Sequence, residues 1–336
     1  AMVYILPVNA GMLSLTGMSF GGVFAATAIA AAFATILMGD IGKVPIALAS
    51  DMGVNAFFTY TVVFQLGLSW QSALAAVLVS GILFVIISLT GLRQLVINAI
   101  PKSLKLAIGA GIGFFIAFIG FKNAGIIIAD PATFVRLGDF ANPTVLLGLF
   151  GVLLILVLFA LNNKISKFAI IIAILGTGLL GVLLGAIFPG LTAAMPSFGG
   201  TNLGNISDIG GLFGQAIVAI PDLFAHPLAL SVIFTFLFID FFDTAGTLVA
   251  VGNEAGLLDD EGQLVGGNQA LLADAVGTVV GAVVGTSNVT SYIESTTGIK
   301  SGARTGLASV FTGVLFLVAL LFFPLFSIVG GIASGN

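Results

Sequence analysis

Gly285-Thr-Ser-Asn-Val-Thr-Ser-Tyr-Ile-Glu-Ser-Thr-Thr-Gly298 and Ser50-Asp-Met-Gly-Val-Asn-Ala-Phe-Phe58 break two apolar runs with glycine, hydroxyl, amide and carboxylate side chains. Neither reads as a continuous membrane helix. A helix that crosses a bilayer needs about 20 predominantly apolar residues. The stretch 287–298 is too short for that, and 44–64 carries Asp51, Gly53 and Asn55 in its middle. Paired interruptions at similar places in two halves of a chain point to a secondary transporter whose site lies between inverted repeats. The physical reason is that half-helix ends expose backbone N–H groups at mid-membrane, where they must find protein or ligand partners. Both stretches are therefore expected to form short broken helices or extended pieces that meet near the bilayer midplane.

The sequence around them is membranous. Of 336 residues 59% are hydrophobic and 7% charged, against roughly 25% charged in a soluble domain, and the mean hydropathy is +1.23. A soluble protein is excluded, and the apolar content suffices for about ten or eleven spans. Punctuation by charge, Pro and Gly places them near 1–9 (partial), 20–38, 44–64, 70–90, 104–128, 144–161, 168–188, 228–251, 268–285, 287–298 and 305–325. The four-residue spacing of Gly277, Gly281 and Gly285 permits close helix contact. A net charge of −4 without a basic block argues against a nucleic-acid partner. With no cysteine and a single histidine, disulfides, thiolate chemistry and a His or Cys metal site are excluded, so no metal is expected. Gly109-Ala-Gly-Ile-Gly113 lies in an apolar span with no strand before it and is not read as a phosphate loop.

Basic residues set the orientation. With alternating spans, Lys43, Arg93, Lys102, Lys105, Lys164, Lys167, Lys300 and Arg304 fall on one side, leaving only Lys122 and Arg136 opposite. The positive-inside rule makes the first side cytoplasmic. The apolar opening Ala1-Met-Val-Tyr-Ile-Leu-Pro-Val-Asn9 has no charged n-region and reads as the second half of a membrane helix rather than a signal peptide. Together with the small-residue end at 323–336, it makes the chain read as a piece of a longer protein.

A third stretch, Phe238-Ile-Asp-Phe-Phe-Asp-Thr-Ala-Gly-Thr247, puts Asp240, Asp243, Thr244 and Thr247 on one helix face. An ionisable group in the hydrocarbon costs at least about 2.5–3.5 kcal/mol on insertion scales, so each one calls for a function or a partner. By that logic Asp240, Asp243 and Glu294 are candidates for substrate or proton duty. Asn55 is a candidate for ligand contact or for capping its own half-helix. Asp51 reads as a cap of that half-helix near the cytoplasmic mouth, Asp274 as a tie between helices, and His226 as an interfacial residue. Lys300 and Arg304 read as anchors of the cytoplasmic end of the last span.

On Met52-Gly-Val-Asn-Ala-Phe-Phe58, Asn98-Ala-Ile-Pro-Lys-Ser-Leu-Lys-Leu-Ala-Ile-Gly-Ala-Gly-Ile-Gly113, Phe238–Leu248, Ala270-Leu-Leu-Ala-Asp-Ala275, Tyr292-Ile-Glu-Ser295 and Gly302-Ala-Arg-Thr-Gly306, the sequence resembles the AzgA-like adenine/guanine/hypoxanthine permeases of the nucleobase:cation symporter (nucleobase-ascorbate transporter) superfamily. The resemblance runs nearly end to end. It implies an all-α polytopic membrane protein with the inverted-repeat fold of seven plus seven helices, in which helices 3 and 10 are broken by short extended segments. Residues 1–92 would be the first part of the core domain (helices 1–4) and 93–190 the gate domain part (helices 5–7). Residues 191–227 would be an extracellular connection and 228–336 the second part of the core (helices 8–11), with helices 12–14 lying beyond the chain. Ser50-Asp51 departs from the pattern, standing where Pro-Gly is expected.

The resemblance further implies proton-coupled transport of purine nucleobases across the cell membrane by core-against-gate alternating access, with no cofactor besides the coupling proton and no enzymatic activity. Asn55, Ala56, Phe57, Asp243, Thr290, Ser291 and Glu294 would bind substrate, and Asp240, Asp243 and Glu294 would couple the proton. Purine N–H and amine groups suit carboxylates, and their π faces suit Phe57 or Phe58. The partners are then a purine and the lipid bilayer, with a homodimer left open. The alternatives weighed are an anion carrier of the related fold, against which the three acids argue, and an inactive permease piece. An intramembrane hydrolase is disfavoured, because Asp240 and Asp243 sit on one helix instead of converging from two elements.

Overall fold

The computed structural model describes residues 2–90, 102–161, 165–188, 203–259 and 264–324. The long helices fall within a few residues of the expected spans: α1 (Ile5–Ser14), α2 (Phe20–Leu37), α4 (Trp70–Thr90), α5 (Lys102–Asn123), α6 (Pro143–Ala160), α7 (Ala169–Ile187), α10 (Ala229–Ala255), α11 (Gly267–Val284) and α13 (Gly306–Ala319). Among the described residues, five helices are long and apolar enough to cross a membrane. Local signals explain their ends. Ser19 caps α2 by accepting the Gly22 N–H, and Asn142 caps α6 with Pro143 following it. α10 stops at Gly256 and α11 at Gly285, both in the left-handed region at φ 67° and 101°.

The two interrupted stretches break as expected. β1 (Leu48–Ser50) leads into α3 (Met52–Ala56) and a π-helical continuation, Phe57–Gln65; β4 (Val289–Ser291) leads into α12 (Ser295–Lys300). The strands pair antiparallel, with Leu48 opposite Ser291, Ala49 opposite Thr290 and Ser50 opposite Val289, and all six residues are buried. Around this ribbon α2 packs on α1, α11 and α13, and α4 packs on α10 and α11.

Lipid offers helices no hydrophobic reason to associate, so close packing of small residues must hold the bundle. A Cβ on Gly306 would lie 2.0 Å from the Gly39 carbonyl oxygen, and one on Gly277 would lie 2.7 Å from the Ala34 Cβ. Of the spaced glycines, Gly277 thus serves close approach to α2, while Gly281 meets Ser287 and Val289 and Gly285 meets Leu212. By contrast α6 and α7 pack on each other and expose Leu153, Leu156, Phe159, Leu179 and Leu183. Only 17% of the α6 window is buried, against 72% for the α2 window.

Three boundaries need correction. The first helix continues to Ser14, because polar Asn9 is buried inside the bundle and does not end it. The expected span 104–128 stops at Asn123, and Gly125 at φ 70° turns the chain into a hairpin of β2 (Ile127–Asp130) and β3 (Phe134–Leu137). The helix-forming apolar pattern hid this turn. Part of the 191–227 connection folds: a 3-10 helix at Leu203–Gly211, α8 (Gln215–Val218) and α9 (Ile220–Ala225) lie against α2 and α4, with Leu212 and Leu223 buried. Arg93 and Lys164, used for orientation, lie outside the described residues.

Candidate functional site

A two-stranded ribbon inside a helix bundle has two outer edges whose N–H and C=O groups lack partners, and in a dry interior each needs one. Threonines on neighbouring helices supply them. Thr35 on α2 donates to the Leu48 carbonyl at 2.9 Å and accepts the Leu48 N–H at 2.9 Å. Thr278 on α11 donates to the Val289 carbonyl at 3.0 Å and accepts the Val289 N–H at 3.2 Å. The same device thus serves both halves of the repeat. Replacing either threonine by isosteric valine is expected to orphan two buried backbone groups and to destabilise the protein by about 2–4 kcal/mol. Thermal unfolding in detergent checks this. Serine at the same position should stay near the parent, and valine variants as stable as the parent would make these contacts incidental.

Two polar networks meet at the ribbon. In the first, Asn55, fully buried, donates to Asn9 Oδ1 at 2.6 Å and accepts from the Ser287 hydroxyl. Asn9 donates to Thr27 at 2.7 Å and to Thr286 at 2.9 Å, while the Ser50 and Ser287 hydroxyls lie 2.8 Å apart. The Asn55 side chain therefore ties α1, α2, the ribbon and the turn before β4 together. Ala56 is buried beside it, and the half-buried Phe57 stands edge-on to Phe236 of α10, with ring centroids 5.0 Å apart.

The second network holds the acids. Asp240 accepts from Asn288 at 3.0 Å, and its Oδ2 lies 2.9 Å from the Thr278 hydroxyl, whose one hydrogen it shares with the Val289 carbonyl; Asp274 accepts from Ser291 and from Thr244, each at 2.8 Å. Thr244 and Thr290 are 2.9 Å apart, and Thr290 also bonds Asp243. Asp274 is the interhelical tie its position suggested. Asp243 is half-buried and within electrostatic reach of Asp51, Asp240 and Glu294. Glu294 accepts the Tyr4 hydroxyl at 2.5 Å. It lines a cavity of about 240 Å³ with Met2, Pro45, Ala47, Ser295 and Thr297. Neither Asp243 nor Asn55 lines that cavity.

Asp51 caps α3 by accepting the Gly53 N–H at 2.7 Å, but it is 5% exposed, enclosed beside Asn288 and not at a mouth. Burial follows from its place directly after β1. Lys300 pairs with Glu254 at 3.4 Å, Arg304 donates to the Ile299 carbonyl at 2.7 Å, and His226 Nδ1 accepts the Leu228 N–H at 3.3 Å. Sequence reasoning did not single out Tyr4, Asn9, Thr35 or Thr278. The available signal was a lone polar residue inside an apolar helix, as with Asn9 and Thr35.

Residues 1–335 match the profile of the Permease family, Xan_ur_permease. The chain belongs to this family. Among its relatives is the guanine/hypoxanthine permease PbuG of Bacillus subtilis, 46% identical over 98% of this chain and 74% of that protein. Another is the adenine permease AdeP of Escherichia coli, 39% identical over 100% of this chain and 72% of that protein. The fold is that of the transmembrane domain of a cyanobacterial bicarbonate transporter, BicA, at a TM-score of 0.64 and 15% identity, covering 99% of this chain and 86% of that one. SLC26A9 follows at a TM-score of 0.53 and 12% identity, with 99% of this chain and 55% of that one covered. The permease is thus a multi-pass membrane transporter and not an enzyme, with the inverted-repeat fold and paired broken helices that the sequence led one to expect.

Proposed function

We propose that this permease carries purine nucleobases across the cell membrane together with a proton. The observation that carries the reading is the set of carboxylates around β4, Asp240 and Asp243 from α10 and Glu294 following the strand, placed where two broken helices meet. Among the described residues, neither ion pair, Arg136–Asp130 or Lys300–Glu254, includes a member of this set. A site this rich in acids suits a ligand with N–H donors and a proton, and repels an anion. The names of the relatives support guanine, hypoxanthine and adenine as the substrate class.

In this reading Asp243 and Glu294 receive purine donors and the proton, with Thr290 and Ser291 orienting them. Asn55, Ala56 and Phe57 shape the opposite wall. Asp240 assists coupling, and no cofactor takes part. Residues 1–92 and 228–336 move as a core against the gate 93–190, carrying the ribbon between the two membrane faces. The test is uptake of radiolabelled hypoxanthine, guanine, adenine and bicarbonate by cells that lack their own purine permeases and express this chain. Accumulation of a purine that collapses with a protonophore is expected. Bicarbonate uptake without purine uptake would overturn the reading.

A further inference from the structure

Among the described residues, the buried acids Asp240 and Asp274 accept a side-chain donor on each of their two carboxylate oxygens. Asp51 differs. Its Oδ1 receives the Gly53 N–H at 2.7 Å, while its Oδ2 is buried with no hydrogen-bond partner. The side chain beside it, Asn288, is 1% exposed; its amide nitrogen is directed to Asp240 Oδ1 at 3.0 Å, and its own Oδ1 is also buried without a donor. Asn288 thus stands between two carboxyl groups, one with a side-chain donor group at each oxygen and one with an oxygen that has none. A buried acceptor without a donor carries the full cost of its lost hydration, and a bare charge carries far more.

The groups facing Asp51 make an ionised form still harder to hold. Asp240 and Asp243 reach it from α10, and Tyr292 reaches it from the segment after β4. α1 presents neutral Asn9, and Lys122 of α5 lies over the Tyr60 ring, 4.4 Å from its centroid.

We propose that Asp51 Oδ2 is a proton-binding site, distinct from the substrate carboxylates Asp243 and Glu294. A proton from water binds the Oδ2 lone pair; no other bond forms or breaks. The neutral acid no longer places a bare charge beside Asn288, and it leaves the Asn288–Asp240 bond intact. The existence of this proton is independent of the proposed substrate, whereas its influence on transport rests on the purine reading.

Infrared difference spectroscopy of the purified full chain in lipid tests it. A buried protonated carboxyl gives a carbonyl stretch separate from that of a carboxylate. The parent should show this band with a component that Asp51→Asn and Asp51→Gly each lose, while Asp240→Asn and Asp243→Asn keep that component. In Asp51→Asn the side-chain amide oxygen can still accept the Gly53 N–H and cap α3, so this variant is expected to fold; the glycine variant is the second check. Absence of that component from the parent, or a band unchanged in Asp51→Asn, overturns the proposal. In purine uptake, Asp51→Asn should match the parent at acidic pH and retain severalfold more activity at alkaline pH, where the parent gains the extra charge. Parallel pH profiles would overturn the link to transport and leave the spectroscopic result to stand or fall separately.

Discussion

Asp243→Ala is expected to abolish purine accumulation, whereas Glu294→Gln is expected to keep measurable binding and to flatten the pH dependence of uptake. Asp243 lies within electrostatic reach of Glu294, Asp51 and Asp240. In a dry interior such groups cannot all stay charged, and the proposed function divides binding and proton carriage among them. Truncating Asp243 removes the acceptor that Thr290 positions and leaves purine donors unpaired, which costs the full desolvation of those groups. A glutamine in place of Glu294 keeps an acceptor for the Tyr4 hydroxyl but cannot titrate. Radiolabelled hypoxanthine binding and uptake, each measured as a function of pH, distinguish the two roles. If both variants accumulate purine like the parent at every pH, these acids are structural.

Gly306→Ala should be the most damaging single methyl addition in the bundle. The new Cβ would sit 2.0 Å from the Gly39 carbonyl oxygen and 2.8 Å from its carbon, and both obstacles are backbone. Neither can rotate aside, so α13 must move off the end of α2. Overpacking a close contact costs roughly 1–3 kcal/mol even when side chains can yield, and here the upper end or more is expected. The displacement would also pull on the segment before β1, because Ser309 of α13 donates to the Val44 and Ile46 carbonyls at 2.8 and 2.9 Å. Folded yield and unfolding temperature in detergent should fall sharply. Gly178→Ala on α7, where a Cβ meets nothing within 4 Å, should be neutral. Equal stability of the two variants would refute the crossing argument.

The membrane class, the spans and the two broken segments were determined by the sequence alone, because each rests on local content. Apolar run length decides what crosses a bilayer, and Gly with hydroxyl and carboxylate side chains inside a run decides what cannot. Asp240, Asp243 and Glu294 were legible for the same reason: a charge in hydrocarbon is conspicuous without knowledge of its neighbours. Pairing was not legible. That Thr290 faces Ala49, that Thr35 and Thr278 close the two ribbon edges, and that Asn55 is bound by Asn9 and Ser287 are relations between residues far apart in the chain. A threonine in a helix looks alike whether it faces lipid or an orphaned strand edge. Asp51 shows the same limit. Its capping role follows from the residues next to it, whereas its burial and its undonated oxygen follow from Asn288, which only the tertiary fold brings to its side.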